Sequence, residues 1–310
     1  MGIQLADGPA QWTCALVNNM PDAAFCATER QFISLLDGGS GCRTVGVTRY
    51  AMAGVPRGER IRTHIAAEYR PFEDIFSDPP DLLVVTGANP LESRIEDEAY
   101  WSDLHGLLKW ASEHVRTMVL SCLSAHAALA VFDGVERTVL PEKCTGVFAQ
   151  QADQSHPLAA GFGGPVLLPH SRHNAVPVDT VVAAGYAVAL QSEAAGWSVV
   201  TRTVGQSDVV LVQAHPEYDP TSLVREYLRD ARRYVSHERD EPPCLPRDCL
   251  VGADWHRLRL LHKKVVGDRN PDLLDAFPFD QVAAHAPWQW RGTALRLYAN
   301  LLATIPMRSV

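Results

Sequence analysis

The run Thr117-Met118-Val119-Leu120-Ser121-Cys122, passing directly into Leu123-Ser124-Ala125-His126-Ala127-Ala128-Leu129-Ala130, decides the fold. Its first half is a short apolar segment of the kind that forms a fully buried strand, and its second half reads as the helix that the strand feeds. Cys122 stands at the junction, a sharp turn beside the free N–H groups of a helix N-terminus. Their partial positive charge favours thiolate over thiol, which makes Cys122 a candidate nucleophile.

Moving outward, a second buried strand, Val209-Val210-Leu211-Val212, ends in Gln213-Ala214-His215-Pro216-Glu217-Tyr218. A cysteine nucleophile needs a base, and the base needs an acceptor that fixes its tautomer, so Cys122, His215 and Glu217 supply three complementary roles. Both reactive residues follow the carboxyl end of a strand, the edge at which open α/β sheets place their sites. A buried structural cysteine with an unrelated loop histidine is the competing reading.

Strands and helices alternate through the first two-thirds of the chain. Strands are expected at 12–17, 44–48, 81–87 and 117–122, with helices at 28–36, closed by Gly38-Gly39, and at 100–114. This alternation predicts an α/β fold with a mostly parallel sheet covered by helices on both faces. Between 146 and 212 the apolar runs are short and separated by Gly and Pro, which predicts antiparallel strands at an edge or in a small accessory sheet. A helix is expected at 222–230, and Asp240-Glu241-Pro242-Pro243-Cys244-Leu245-Pro246 reads as a linker. The division is therefore 1–237 for the main domain and 238–310 for a C-terminal helical extension packed on it.

The chain has 310 residues, 46% of them hydrophobic, enough for a self-sufficient core. Its 28 basic and 36 acidic residues give a formal charge of -8 with no basic run, so nucleic acid is not an expected partner. No apolar stretch is long enough to cross a bilayer, and Met1-Gly2-Ile3-Gln4-Leu5-Ala6-Asp7 lacks a signal-peptide pattern. The expectation is a cytoplasmic protein without membrane association. Seven scattered cysteines, at 14, 26, 42, 122, 144, 244 and 249, suggest free thiols, and no structural metal is expected at Cys244 and Cys249.

Several blocks occur together, in order: Asn19-Met20-Pro21 with Thr28-Glu29-Arg30-Gln31-Phe32; Val85-Thr86-Gly87-Ala88; Tyr100-Trp101; Cys122 with Ala127-Ala128-Leu129; Lys143 with Gly146-Val147-Phe148; Pro169-His170-Ser171-Arg172; His215-Pro216-Glu217-Tyr218-Asp219; and the helix through Arg229-Asp230. In this set the chain resembles the homoserine O-acyltransferase family of the homoserine O-succinyltransferase type, whose members resemble class I glutamine amidotransferases in fold. The resemblance implies transfer of an acyl group from acyl-CoA to the hydroxyl of L-homoserine through an acyl-cysteine. Acetyl-CoA or succinyl-CoA is then a co-substrate and no cofactor stays bound. It assigns Cys122 as nucleophile, His215 as base and Glu217 as its orienting partner. Arg229 becomes the clamp for the acceptor's carboxylate, with Lys143, Ser171 and Arg172 lining the substrate pocket. A homodimer is also implied.

The chain departs from the family pattern at several places. Asp22-Ala23-Ala24-Phe25-Cys26 follows Met20-Pro21 where the family carries basic residues, and Ser121 and Ser124 stand where related amidotransferases have glycine. In the loop after Ala88 the family uses glycine with succinyl transfer and glutamate with acetyl transfer; here that place falls on Leu91, with Glu92 beside it. Either side chain disfavours a succinyl carboxylate, one by leaving it unpaired and the other by repulsion, so acetyl-CoA is the expected donor. Serine or another hydroxy amino acid is the alternative acceptor. A glutamine amidotransferase-type hydrolase and a non-catalytic binding protein are the alternatives to acyl transfer.

Overall fold

The computed structural model describes residues 3–5, 11–41 and 44–305; Cys42 and most of the N-terminal heptapeptide lie outside the described residues. Along the chain, β1 (Ile3–Leu5) and β2 (Trp12–Val17) precede helix α1 (Asp22–Ser40). Next come β3 (Val45–Tyr50), α2 (Glu59–Glu68), β4 (Leu82–Val85), α3 (Trp101–His114), β5 (Thr117–Ser121) and α4 (Leu123–Asp133). The chain continues through β6 (Thr138–Ala152), β7 (Val166–Ala175), α5 (Val178–Ala183), β8 (Ala187–Ser192), β9 (Gly196–Val204) and β10 (Ser207–Val212). It closes with α6 (Ser222–Val235), α7 (Gly252–Asp268), α8 (Asp272–Asp275), α9 (Phe279–His285) and α10 (Arg291–Thr304).

The strands lie side by side in the order β1-β3-β2-β4-β5-β10-β9-β8-β6-β7. From β3 to β10 the pairing is parallel, and these five strands are buried on both faces, which is why β4 and β5 read as unbroken apolar runs. From β10 outward the pairing turns antiparallel. Leu104, Leu107 and Leu108 of α3 and Ala125 to Leu129 of α4 cover one face; Phe32, Leu35 and Leu36 of α1 with Leu297 and Tyr298 of α10 cover the other. In chain order the parallel strands run 2-1-3-4-5, the doubly wound arrangement whose ligand crevice opens at the carboxyl ends.

Two expectations need correction. Gly38-Gly39 does not close the first helix: α1 begins at Asp22 and continues to Ser40, capped by Gly41 at φ 64°. The glycines sit inside the helix because α10 crosses them. A Cβ at Gly39 would lie 2.7 Å from Tyr298 Cβ, and one at Gly38 would lie 2.6 Å from Leu295 Cδ2. The antiparallel region begins before 146: residues 138–145 form the first half of β6, a largely exposed run broken by Pro141 that shows no apolar-polar alternation.

At the far edge, the stretch read as a linker is laid against β6. Arg247 N–H donates to Thr145 O at 3.1 Å, and Val147 N–H donates to Arg247 O at 2.8 Å. Gly146, at φ 140°, permits this approach: a Cβ there would lie 2.5 Å from Arg247 O.

Candidate active site

Cys122 occupies the turn between β5 and α4 at φ 51°, ψ -107°, a backbone conformation that side-chain-bearing residues rarely adopt. Such a residue costs about 1–3 kcal/mol and persists only where its surroundings hold it. Here Cys122 N–H donates to Val212 O at 2.7 Å, and its own carbonyl accepts from Ala125 and His126 in the first turn of α4. The β4 loop is tied to the same turn, because Ser124 Oγ donates to Thr86 O at 2.5 Å while Thr86 Oγ1 accepts from Asn19 N–H at 2.9 Å. Ser124, which stands where related amidotransferases have glycine, therefore fastens the turn. Gly87 lies against the cysteine, so close that a Cβ on it would touch Cys122 Cβ at 3.4 Å and approach Leu123 N at 3.6 Å. Leu123 is the first helical residue, and its N–H has no intrahelical acceptor.

His215 follows β10, whose last residue pairs with Ser121 of β5, so the sheet register brings the histidine to the cysteine's side. Its N–H donates to Pro169 O at 2.8 Å, and its Nδ1 lies 2.7 Å from Glu217 Oε1. With the carboxylate accepting, Nδ1 carries the proton and Nε2 is turned to the reactive side. Burial pushes the His215 pKa down, but the Glu217 and Cys122 charges and the hydrogen bond to Glu217 outweigh it and hold the imidazole well above its ordinary value. His126, beneath the cysteine, behaves oppositely. It is fully buried against Gln213 Oε1 at 3.0 Å, and burial pushes it down to about 4, leaving it neutral and engaged. Of these two histidines, only His215 combines a fixing carboxylate with a charge-stabilising environment.

Cys122 and His215 open into a cavity of about 220 Å³ whose opposite wall includes Lys143, Ser171, Arg172 and Arg229. Lys143 Nζ lies 2.8 Å from Asp230 Oδ2 and 3.4 Å from Glu226 Oε2. Ser171 Oγ also donates to Glu226, and Tyr218 OH does so at 2.5 Å. Burial pushes the Glu226 carboxyl up, but Lys143, Arg229 and the hydroxyl donors prevail and lower it, keeping the group ionised. Arg229 forks onto Asp230 Oδ1 at 3.1 and 3.0 Å. Tyr218 stacks on the His215 ring at 4.3 Å between centroids, linking this wall to the histidine.

Arg172 is buried, with its Nη atoms donating to Asn174 O and Ala195 O and its Nε without a hydrogen-bond partner among the described residues. Tyr218, Glu226 and Asp230 were not assigned to the site from sequence; the signal available was the i,i+4 pair of carboxylates on one face of α6.

Leu91 and Glu92 are not brought to this cavity. Leu91 is 75% exposed, and the two backbone N–H groups are held by Glu98 Oε1 at 2.9 and 3.2 Å. Neither side chain lines the cavity that the donor's acyl group would enter, so neither sets the donor there. At the other cysteine pair, Cys249 is buried with its Sγ 3.5 Å from Pro246 O. Among the described residues no helix is long and apolar enough to cross a membrane.

Residues 10–307 match the family model described as homoserine O-succinyltransferase. A homoserine O-succinyltransferase of Rhodopseudomonas palustris is 37% identical over 290 residues, covering 94% of this chain and 87% of that protein. One of Methylorubrum extorquens is 38% identical over 293 residues, covering 94% and 87%. Among solved structures, a glutamine amido transferase from Methylobacillus flagellatus aligns with TM-score 0.52 at 14% identity, covering 97% of this chain and 98% of that one, a likeness of fold. The relatives' names run against the acetyl preference read from Leu91 and Glu92. Matched along nearly its whole length, the chain belongs to the homoserine O-succinyltransferase family.

Proposed function

We propose that the protein transfers a succinyl group from succinyl-CoA to the hydroxyl of L-homoserine through a thioester on Cys122. The observation that carries this reading is the placement of a strained cysteine beside a histidine fixed by a carboxylate, at the mouth of a cavity whose lining includes Arg172 and Arg229, in a chain of this family. Attack of the thiolate on the donor thioester produces a tetrahedral oxyanion, for which the N–H groups of Gly87 and Leu123 supply donors beside the sulfur. Collapse expels the thiol of coenzyme A, protonated by the His215 imidazolium, and leaves the acyl group on Cys122. Neutral His215 then removes the proton of the acceptor hydroxyl, which attacks the acyl-cysteine and regenerates the thiolate.

The opposite wall suits a zwitterionic acceptor. Arg229 offers a planar fork to the α-carboxylate, and ionised Glu226 and Asp230 offer partners to the ammonium group. Lys143 and Ser171 position Glu226 rather than reaching the acceptor themselves. For the donor, the unpaired Nε of Arg172 gives a terminal carboxylate a cation inside the cavity, which favours succinyl over acetyl. Purified protein should release coenzyme A thiol from succinyl-CoA in a homoserine-dependent manner, faster than from acetyl-CoA and faster than with serine. Preference for acetyl-CoA would refute the donor assignment, and release of ammonia from glutamine without thiol release would refute acyl transfer. The homodimer is carried as a further proposal, to be checked by light scattering.

A further inference from the structure

A second cavity, about 800 Å³, lies between the β6–β7 hairpin and the chain from 239 to 247, with α7 behind it. Its lining contains four Lys or Arg residues, namely Lys143, Arg233, Arg239 and Arg247, against the acidic Glu142 and Glu241, in a chain whose formal charge is -8. The cations are not equally free. Lys143 is committed to Glu226 and Asp230, and Arg233 makes a long, exposed contact of 3.7 Å with Glu238. Arg239 and Arg247, by contrast, have guanidinium groups with no ion pair or hydrogen bond among the described residues. The backbone of Arg247 is nonetheless clamped on both sides of Gly146, so its side chain projects from a fixed wall. Pro242, Pro243 and Leu245 supply an apolar surface alongside.

Lys143, His173, Arg233 and Arg239 line this cavity and the one containing Cys122, so the two adjoin across these side chains. We infer that the larger cavity receives the phosphorylated nucleotide end of the acyl-CoA donor, with Arg239 and Arg247 as its phosphate ligands and the C-terminal extension as its outer wall. The inference rests on the acyl-transfer reading and specifies how that site takes its donor. An acyl-CoA has its phosphates at one end and its reacting thioester at the other, joined by an uncharged arm. A basic basin adjoining a small cavity with a nucleophile matches that distribution of charge. Phosphate is recognised by unpaired guanidinium forks, which is the state of these two arginines.

The test compares two donors that share the thioester and differ in the phosphates: succinyl-CoA and the succinyl thioester of pantetheine. In the double variant Arg239→Gln/Arg247→Gln, KM for succinyl-CoA should rise about tenfold or more, the worth of a charge-assisted hydrogen bond. Turnover of the pantetheine thioester should change less than about twofold in the single variant Arg247→Gln, because Arg247 lines the larger cavity and not the one containing Cys122. Adenosine 3′,5′-bisphosphate should compete with succinyl-CoA in the parent and lose that effect in the variant, and Arg247→Lys should retain part of it. An unchanged KM for succinyl-CoA, or equal losses with both donors, would overturn the assignment. Should the parent use neither donor, the acyl-transfer reading fails separately. Calorimetry with adenosine 3′,5′-bisphosphate then decides the groove: binding that the double variant abolishes supports it, and absence of binding overturns it.

Discussion

The two walls of the cavity are built in different ways. On one side, Cys122 and His215 stand at the ends of adjacent parallel strands, and backbone register alone brings them together. On the other, Lys143, Ser171, Glu226 and Asp230 come from β6, β7 and α6 and are held by ion pairs and hydroxyl donors between residues 55 to 87 positions apart. The first wall is a product of the sheet. The second depends on buried charge. Disturbing a charge on the first should therefore alter chemistry with little loss of fold, whereas disturbing one on the second should alter binding and stability together.

The largest effect is expected from Glu217→Gln, which keeps the shape beside His215 but removes the charge that fixes it. Steady-state turnover should fall about 10⁴-fold, as for loss of an orienting carboxylate elsewhere, with KM for homoserine little changed. The same variant has a pH signature. His215 titrates higher in the folded chain than in the unfolded one, so its contribution to stability is complete below the unfolded value of about 6.5 and is lost as pH rises through the raised folded value. The stability gap between parent and variant should accordingly be widest below about pH 6.5 and narrow as pH rises through the raised folded value in denaturant titrations. A gap that widens toward alkaline pH would contradict the electrostatic account of this wall.

Next in size is Arg229→Ala. Loss of a charged fork should raise KM for homoserine about 10²-fold and leave KM for succinyl-CoA nearly unchanged. Equal effects on both substrates would place Arg229 outside the acceptor subsite. Glu226→Ala sharpens the contrast on stability. It leaves Lys143 with Asp230 alone and two hydroxyls without their acceptor, a change expected to cost about 3 kcal/mol in urea unfolding. A loss under about 0.5 kcal/mol would make that network an exposed one in effect.

What was legible in the sequence follows the same division. The buried strands around 117–121 and 207–212 carry their own apolar signature, so Cys122 and His215 could be placed at the sheet's carboxyl edge before any coordinates. Helix α1 was misread at its end because Gly38 and Gly39 serve a contact with α10, more than 250 residues away, that no local pattern encodes. The first half of β6 offers no alternating pattern, because Val139 is exposed, Pro141 interrupts the run and its partner, β7, lies beyond an intervening excursion. Leu91 misled for a related reason: counting along the chain fixes a position in a loop but not the direction in which that loop turns.

The smallest predicted effect tests that last point. Leu91→Ala should leave the ratio of succinyl-CoA to acetyl-CoA turnover unchanged and cost less than about 0.5 kcal/mol, since the side chain is exposed. A reversal of donor preference would restore this residue to the pocket.

The central claim is that the Cys122 sulfur carries the acyl group between donor and acceptor. Intact-mass measurement after brief exposure to succinyl-CoA, without acceptor, tests it most directly. The account predicts a gain of one succinyl group, located on Cys122, discharged by homoserine and absent from Cys122→Ala. Retention of the adduct by Cys122→Ala, or homoserine succinylation by that variant at the parent's rate, would contradict it.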